Sequence, residues 1–312
     1  MNGMNNTVIL TIAIPTYNRP FQIQKQVRNI IPQLTDNIVL KIYDNCSNVV
    51  VETLFSDEEK KHVKIVRHNT NIGGDANIAR CFEECETRWL WTLSDDDYVK
   101  SDALSKVMLY IKKNDDCVFL NCLSKKQCKT ENFIEFAEIM SNADMFGSSF
   151  AMSACLYNMN LLKDDLYFYY KYLSSKIGTI IMVSKNIQRT NNKSFLFRDM
   201  YIDLGEDVGW NYADYIFFSS LIYNAFKKDN SNRHLEKNLL LGYSDLNYWL
   251  IKTNRKSSHI SDFERLMLLV NSIKRQGLIN AFHYSFINIS KAFISIIFGD
   301  KVKTYLIKHL RR

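Results

Sequence analysis

Hydrophobic residues in the first part of the chain follow two spacings, one typical of buried strands and the other typical of helices. Val8 to Ile14 is a nearly continuous apolar run that ends at Pro15, which predicts a strand buried on both faces. Ile38 to Tyr43 predicts a second buried strand. Between them, residues three and four positions apart predict one helix face: Phe21, Ile23, Val27, Ile30, Ile31 and Leu34. The segment therefore reads as one strand, helix, strand unit.

The same alternation continues toward the middle of the chain. Its pattern predicts a polar helical stretch at 49–61, a strand at 63–67, a helix at 75–86, a strand at 89–93, a helix at 102–112 and a strand at 117–122. This order predicts an α/β fold with a doubly wound, mostly parallel sheet. Ligands of such sheets bind beyond the carboxyl ends of the strands. Residues 231–312 look helical and predict a C-terminal helical appendage.

Composition predicts the cellular compartment, and the charge distribution shows that the C-terminal region is basic. The seven Cys show no close metal-type spacing, and no signal peptide is recognisable, so we expect a reduced, cytoplasmic protein. The chain has a formal net charge of +7, and residues 252–312 carry twelve Lys and Arg against three Asp and Glu. Because the remainder is slightly acidic and no recognition motif appears, we expect no nucleic-acid partner.

The last stretch, residues 278–312, has two interpretations. It mixes apolar and basic residues, as does a helix that lies on an anionic membrane surface, and this would place the protein at the inner face of the cytoplasmic membrane. The alternative is a helix packed on the main domain with a basic tip. Polar residues interrupt its apolar run, so a membrane-spanning helix is not expected.

The clearest chemical signal is Ser94-Asp95-Asp96-Asp97, which follows one predicted strand and precedes a predicted helix. Adjacent carboxylates repel one another, and a cation offsets that repulsion. Mg²⁺ or Mn²⁺ prefers such hard oxygen ligands and usually shares them with substrate phosphates. The motif indicates a nucleotide diphosphate site, although a solvated acidic loop that caps a helix has the same residue types.

Three further motifs follow predicted strands. The segment 15–20 (Pro-Thr-Tyr-Asn-Arg-Pro) offers stacking, hydrogen-bonding and phosphate-binding groups, or simply a helix cap. Asp44 could accept a hydrogen bond from a nucleobase or lie in an ordinary turn. Gly73 and Gly74 precede a helix and let a ligand approach the backbone. The loop lacks the G-x-G-x-x-G and G-K-[ST] patterns, which argues against a dehydrogenase or an NTPase.

Taken together, the motifs resemble family 2 glycosyltransferases with the GT-A fold. They are Pro-Thr-Tyr-Asn-Arg at 15–19, Tyr-Asp-Asn-x-Ser at 43–47, Asn-x-Gly-Gly-x-x-Asn at 71–77, and an aromatic strand at 89–93 before the acidic triplet. The nearest likeness is to bacterial enzymes that build O-antigen, lipooligosaccharide or capsule. The resemblance covers about residues 7–125 and implies a donor half there, an acceptor half at 126–230 and one GT-A domain over 1–230.

The resemblance also implies roles for individual residues. The donor nucleotide sugar would contact Pro15, Tyr17, Asn18, Arg19, Asp44, Gly73, Gly74, Asn77, Asp95 and Asp96. The metal ion, Mg²⁺ or Mn²⁺, would be held among Asp95, Asp96 and Asp97. Many family members read Asp-x-Asp-Asp where this chain begins with Ser94, so the choice of ligand among the three aspartates stays open.

The implied reaction is an inverting, metal-dependent transfer of hexosyltransferase type (EC 2.4), from a nucleotide-diphosphate sugar to a hydroxyl of a glycan or glycolipid acceptor. The attacking hydroxyl loses a proton to a base. Gly205-Glu206-Asp207 resembles the family's Gly-Glu-Asp segment, so Asp207 is the candidate base and Glu206 its neighbour. Asp214, Asp144 and Asp165 stay as alternatives, and so does a solvated turn. The rival functions are a nucleotidyltransferase of sugar activation and an inactive, membrane-bound GT-A scaffold.

Overall fold

A computed structural model describes residues 8–149, 151–199, 201–203, 205, 212–226, 233–253 and 261–309. Their contacts divide the chain into two compact units. Unit 1 takes the described residues of Met1–Phe136, Ser148–Leu173 and Gly178–Val208, and unit 2 takes those of Ala137–Gly147, Ser174–Ile177 and Gly209–Arg312.

Unit 1 is built on a mixed sheet. Its strands are β1 (Leu10–Thr16), β2 (Ile38–Asp44), β3 (Val63–Arg67), β4 (Trp89–Thr92), β5 (Tyr98–Val99), β6 (Cys117–Asn121), β7 (Leu123–Thr130), β8 (Cys155–Asn158), β9 (Lys193–Arg198) and β10 (Ile202–Asp203). Eight strands form the main sheet in the order β3-β2-β1-β4-β8-β6-β9-β7, and β5 pairs with β10 separately. The first four are parallel neighbours, whereas β8 and β7 run antiparallel to theirs. The expected mostly parallel α/β sheet is confirmed.

The parallel strands are buried because their residues are apolar on both faces. Leu10, Ile12 and Ile14 alternate with Thr11 and Ala13 along β1, and none of these side chains is exposed. A strand covered on both sides needs no polar face, which explains why the sequence of β1 reads as a run rather than an alternation.

Helices connect the strands of unit 1, and further helices belong to unit 2. They are α1 (Pro20–Ile30), α2 (Asp57–Lys60), α3 (Gly74–Glu83), α4 (Ala103–Lys113), α5 (Phe133–Met140), α6 (Ala143–Ser148), α7 (Met159–Leu162), α8 (Leu166–Lys171), α9 (Gly178–Thr190), α10 (Tyr212–Ser219), α11 (Ile222–Phe226), α12 (Arg233–Thr253), α13 (Asp262–Gln276) and α14 (Leu278–His309). Short 3₁₀ turns lie at Ile31–Gln33, Val51–Leu54, Met152–Ala154, Lys163–Asp165 and Leu173–Ser175.

The helix expected at 49–61 is two separate pieces, and that prediction was wrong as a single element. The chain makes the 3₁₀ turn Val51–Leu54, becomes extended at Phe55 and starts α2 only after Ser56. Ser56 and Glu59 form a capping box, in which each side chain bonds the other residue's backbone N–H. A capping box marks a helix start, so these residues end the first turn and begin a second. The other elements expected up to residue 122 are confirmed to within a few residues.

The C-terminal part of unit 2 contains the long helices α12, α13 and α14, as the helical sequence pattern of residues 231–312 predicts. α13 begins at a second capping box, made by Ser261 and Glu264. α14 packs against both α12 and α13. Within the described ranges, no helix is long and apolar enough to cross a membrane.

Candidate functional site

The predicted site motifs meet at one edge of the sheet, beyond the carboxyl ends of β1, β2 and β4. Thr16 and Asp44 are direct cross-strand partners at the ends of β1 and β2. The backbone N–H of Asn45 donates to the carbonyl of Thr16 at 3.0 Å. On the other side of β1, the loop after β4 brings the acidic triplet against the same turn.

Asp95 joins the triplet to the first turn. The hydroxyl of Thr16 donates to one Asp95 carboxylate oxygen at 2.6 Å, and Arg19 donates to the other at 3.1 Å. The same Arg19 nitrogen lies 2.7 Å from a carboxylate oxygen of Asp96. Arg19 therefore acts as a counter-cation for two carboxylates of the acidic triplet.

Burial makes a negative charge on the Asp95 carboxylate unfavourable. The residue is only 5% exposed, and this desolvation raises the pKa of its carboxyl above the usual 3.8. The hydrogen bond from Thr16 and the charge of Arg19 oppose the shift without cancelling it, while the charge of Asp96 adds to it. The fold thus holds Asp95 in a position that favours its neutral form more than water does.

The rest of the acidic loop is fixed by backbone and amide contacts. Ser94 donates a side-chain hydrogen bond to Asp96, and the backbone N–H of Gly205 donates to Asp97 at 2.9 Å. Gln26, fully buried on α1, donates to the Asp97 carbonyl and accepts from the backbone N–H of Val99 at 3.2 Å. Gln26 and Gly205 position the triplet, and our sequence analysis gave neither residue that role.

The turn after β1 is tied to the turn after β2. Asn18 has a φ of +56°, a left-handed conformation that Asn tolerates better than most residues. Its backbone N–H donates to the Ser47 hydroxyl at 2.9 Å, and its side-chain oxygen accepts from the backbone N–H of Asn48 at 2.8 Å. Tyr17 is 43% exposed, and Pro15 is half-buried at the end of β1. Tyr17 thus has a ring face open to a ligand.

Asp44 is completely buried and paired. It accepts from the backbone N–H of Ser47 at 2.9 Å and forms an ion pair with Arg67, which also donates to the Ser47 carbonyl at 2.9 Å. Sequence reasoning missed Arg67. Its signal is positional, because Arg67 is the cross-strand partner of Asp44 at the end of β3.

The paired-glycine loop lies open, whereas the asparagine after it is buried. Gly73 has a φ of +87°, and a side chain at Gly73 or Gly74 would meet no atom within 4 Å. Asn77 donates to the Tyr43 carbonyl at 3.0 Å and shares a hydrogen bond with the His68 ring at 2.9 Å. The Asn77 amide is therefore engaged inside the fold, and its contact with a donor stays a prediction.

The candidate base and its alternatives have different positions. Glu206 and Asp207 lie outside the described residues. Asp165 is 2% exposed and accepts from Asn186 at 2.6 Å and Arg189 at 2.8 Å, which gives it a structural role. Asp144 and Asp214 lie on α6 and α10 of unit 2.

The donor atoms of the triplet suit a divalent cation that brings other ligands with it. No three His, Cys, Asp or Glu side chains among the described residues are arranged to hold a metal. Mg²⁺, however, is usually bound by one or two carboxylates together with substrate phosphates. Asp95 and Asp96 carry two negative charges against the single charge of Arg19. One oxygen of Asp97 accepts no hydrogen bond in the part of the chain that the structure describes.

The fold is of the GT-A glycosyltransferase type, and the four motifs converge at one edge of its sheet. The sequence model named Glycosyl transferase family 2 matches residues 11–166. That match spans half of the 312 residues, and the chain belongs to this family.

Individual relatives are more distant. An uncharacterized glycosyltransferase of Haemophilus influenzae is 28% identical over 127 residues, which are 40% of this chain and 42% of that protein. A Campylobacter jejuni GalNAc(5)-diNAcBac-PP-undecaprenol beta-1,3-glucosyltransferase is 26% identical over 122 residues, 38% of this chain and 39% of that protein. The chain thus spans about two fifths of the length of the curated relatives it matches.

A solved structure matches over a longer range. S. aureus TarS 1-349, crystallised in complex with UDP-GlcNAc, superposes with a TM-score of 0.65. The match covers 92% of this chain and 90% of that chain at 13% identity. At this identity the likeness concerns the fold, and it confirms the expected GT-A architecture with a helical C-terminal part.

Proposed function

We propose that this protein is an inverting glycosyltransferase that moves a sugar from a nucleotide-diphosphate donor to a hydroxyl of a bacterial surface glycan or lipid-linked acceptor. The observation that carries the proposal is the hydrogen bond from Thr16 to Asp95. It joins the turn after β1, which is our predicted nucleotide-binding turn, to the acidic triplet. Membership of family 2 and the UDP-GlcNAc complex of TarS support the donor class.

Donor binding uses the turns after β1, β2 and β3. The ring of Tyr17 offers a stacking surface for the nucleobase. Asp44 is our predicted contact with the base, and because its carboxylate is buried and paired with Arg67 and Ser47, this contact requires one of these partners to move. The open Gly73 and Gly74 backbone flanks the donor.

The transfer creates charge on the leaving group and frees a proton. The acceptor oxygen bonds to the anomeric carbon, the bond from that carbon to the phosphate oxygen breaks, and the nucleoside diphosphate leaves with the electron pair. Mg²⁺ or Mn²⁺, held by Asp95, Asp96 and Asp97, would stabilise that negative charge as a Lewis acid. Arg19, already against two of these carboxylates, is close enough to contribute a further positive charge.

The proton of the acceptor hydroxyl goes to a carboxylate, for which Asp207 is our candidate with Glu206 beside it. Support comes from Gly205, whose backbone N–H bonds Asp97.

The acceptor and location are the finer parts of the proposal. The Campylobacter relative is named for an undecaprenol-linked acceptor, which supports a lipid-linked glycan, such as a lipopolysaccharide or capsule precursor, as the acceptor class here. We place the transferase in residues 1–230, with a donor half at 7–125 and an acceptor half at 126–230. Residues 231–312 would contact the inner face of the cytoplasmic membrane peripherally.

The experiment is a screen of UDP-, GDP- and other nucleotide sugars, with and without Mn²⁺, for thermal stabilisation and release of nucleoside diphosphate. We expect one donor to stabilise the protein and to be consumed when Mn²⁺ is present. Asp96→Asn and Asp97→Asn should lose turnover while keeping the melting temperature, and Asp207→Asn should lose turnover but keep donor binding.

Asp165→Asn serves as a comparison, because we expect this variant to lose stability rather than turnover. Release of pyrophosphate from a nucleoside triphosphate would instead identify a nucleotidyltransferase. The absence of any divalent-dependent ligand would favour an inactive scaffold and reject the proposal.

A further inference from the structure

In helix α14 the small side chains are buried, and large apolar side chains are exposed. Its buried side is made mainly of small residues, namely Ala281, Ser285, Ala292 and Ser295, together with Ile289 and Ile296. Its exposed side carries large apolar residues at positions 279, 282, 286, 293 and 297. Spacings of three, four and seven place these residues on one helix face. A soluble helix normally has the opposite arrangement, with its polar face toward water.

The exposed face is large rather than a scatter of single residues. Ile279 is 85% exposed and Phe286 is 55% exposed, and Phe282, Phe293 and Ile297 are about half exposed. Contiguous apolar surface of this kind marks an interaction site, whereas isolated exposed apolar residues are ordinary.

Helix α13 extends the same face. Phe263, Met267 and Val270 are exposed at spacings of four and three. Where α13 ends and α14 begins, Val270, Ile273, Leu278, Ile279 and Phe282 line an open apolar groove. Lys274 also lines this groove and is exposed. We call the exposed apolar residues of α13 and α14 the outer face.

Charge distinguishes the two possible occupants. Residues 252–312 carry twelve Lys and Arg against three Asp and Glu, and Lys274 and Lys291 are exposed on the helices of the outer face. A second copy of the chain would bring the same positive charge against itself. Anionic lipid headgroups are complementary to it, and their attraction adds to the burial of apolar side chains.

We propose that the outer face of α13 and α14 docks on an anionic lipid surface, with α14 parallel to the membrane plane and its Phe and Ile side chains among the acyl chains. Interfacial helices bind in this way without crossing the bilayer. This proposal rests on the proposed function, because it specifies how the protein contacts the membrane peripherally. Docking itself requires neither donor nor metal.

The test is sedimentation of the full chain with two kinds of vesicle, phosphatidylcholine alone and phosphatidylcholine mixed with an equal part of phosphatidylglycerol. The wild type should bind the mixed vesicles, and salt should weaken binding because it screens the charge. The triple variant Phe282→Ser/Phe286→Ser/Phe293→Ser should lose about tenfold or more in partition coefficient. Since these side chains are exposed, we expect the variant to keep its melting temperature.

The matched control carries three substitutions of exposed apolar residues in unit 1, Leu109→Ser/Ile134→Ser/Tyr167→Ser. It should bind vesicles as the wild type does. Lys274→Glu/Lys291→Glu should weaken binding to the anionic vesicles specifically.

Two results would overturn the proposal. One is equal vesicle binding by the wild type and the Phe triple variant. The other is a dimer in sedimentation velocity that the Phe triple variant loses, with no vesicle binding by the wild type, because a second copy would then cover the outer face. Release of nucleoside diphosphate from the donor, measured without lipid, reports on the transferase proposal separately and should be unchanged in the Phe triple variant.

Discussion

Gly205 lies directly against the acidic triplet. A methyl group at this position would lie 2.7 Å from the backbone oxygen of Asp96 and 3.0 Å from its side chain. Real Cβ atoms almost never come so near a backbone oxygen, so the backbone at Gly205 or the triplet would have to move. The hydrogen bond from Gly205 to Asp97 depends on the same approach.

We expect Gly205→Ala to destabilise the protein by about 1–3 kcal/mol and to reduce turnover by about tenfold or more, because overpacking displaces the acidic triplet. Denaturant unfolding and steady-state assays would measure the two effects. Gly147→Ala is the control, since its methyl group would make ordinary contacts at 3.6 Å. Normal turnover by Gly205→Ala would show that the approach is not needed for activity.

Asp95 gives the protein a pH dependence of known sign. Burial raises its pKa in the folded state, so between the ordinary value of 3.8 and the raised value the folded protein holds more protons than the unfolded chain. Its contribution to stability therefore falls as pH rises through the folded-state pKa. At neutral pH the charged carboxylate costs stability.

Asp95→Asn should accordingly raise the melting temperature at neutral pH, flatten its decline from acid to neutral pH, and abolish donor binding. This is the exchange of stability for function that buried site residues often make. Asp36→Asn, at an exposed position, should change neither property. A lower melting temperature for Asp95→Asn would mean that the pairing with Arg19 outweighs the desolvation of the carboxylate.

At the scale of elements, a buried arginine of α13 donates hydrogen bonds to carbonyls near the end of α12. Arg265 is 1% exposed and donates to the carbonyls of Ile251 and Lys252, at 2.9 and 2.8 Å, near the end of α12. The last carbonyls of a helix have no partner within it. Arg265 thus satisfies the end of α12 and fixes α13 against it.

Arg265→Met should leave the buried Ile251 carbonyl without its arginine donor and the Lys252 carbonyl with the longer 3.3 Å hydrogen bond from Ser295, and should destabilise unit 2 by about 2 kcal/mol. Hydrogen exchange should rise mainly near the end of α12 and the start of α13. Arg80→Met, at an exposed arginine of α3, should have little effect on unfolding. Unchanged exchange in Arg265→Met would mean that other groups satisfy those carbonyls.

The sequence predicted the donor half element by element because its strands are continuous apolar runs and its helices have one clear stripe. It missed the break at Ser56 because local capping outweighed the helical composition of residues 49–61. It also missed Arg67 and Gln26, which act through neighbours that are distant along the chain. Strand register supplies the first contact, and the packing of α1 supplies the second, so neither follows from a local pattern.

At the scale of the whole molecule, the carboxylates of the acidic triplet have partners within the protein that oppose their mutual repulsion. Arg19 offsets the charge of Asp95 and Asp96, and Thr16, Ser94 and Gly205 satisfy individual oxygens. We therefore expect folding and the proposed metal-dependent chemistry to be separable in this protein.

We expect a chelator such as EDTA to leave the melting temperature of the ligand-free protein unchanged while stopping sugar transfer, which Mn²⁺ should then restore. Differential scanning calorimetry and a product assay on one sample would measure both. Unfolding on chelation would contradict this expectation, because it would assign the metal a structural role.

The internal ion pair of Arg19 also has a physiological consequence. Under the proposed function, a cell short of manganese or magnesium would keep this protein intact, since quality-control proteases act on unfolded chains and we expect the empty site to stay folded. Sugar transfer would pause without loss of the catalyst and resume as soon as the ion returned, with no need for new translation.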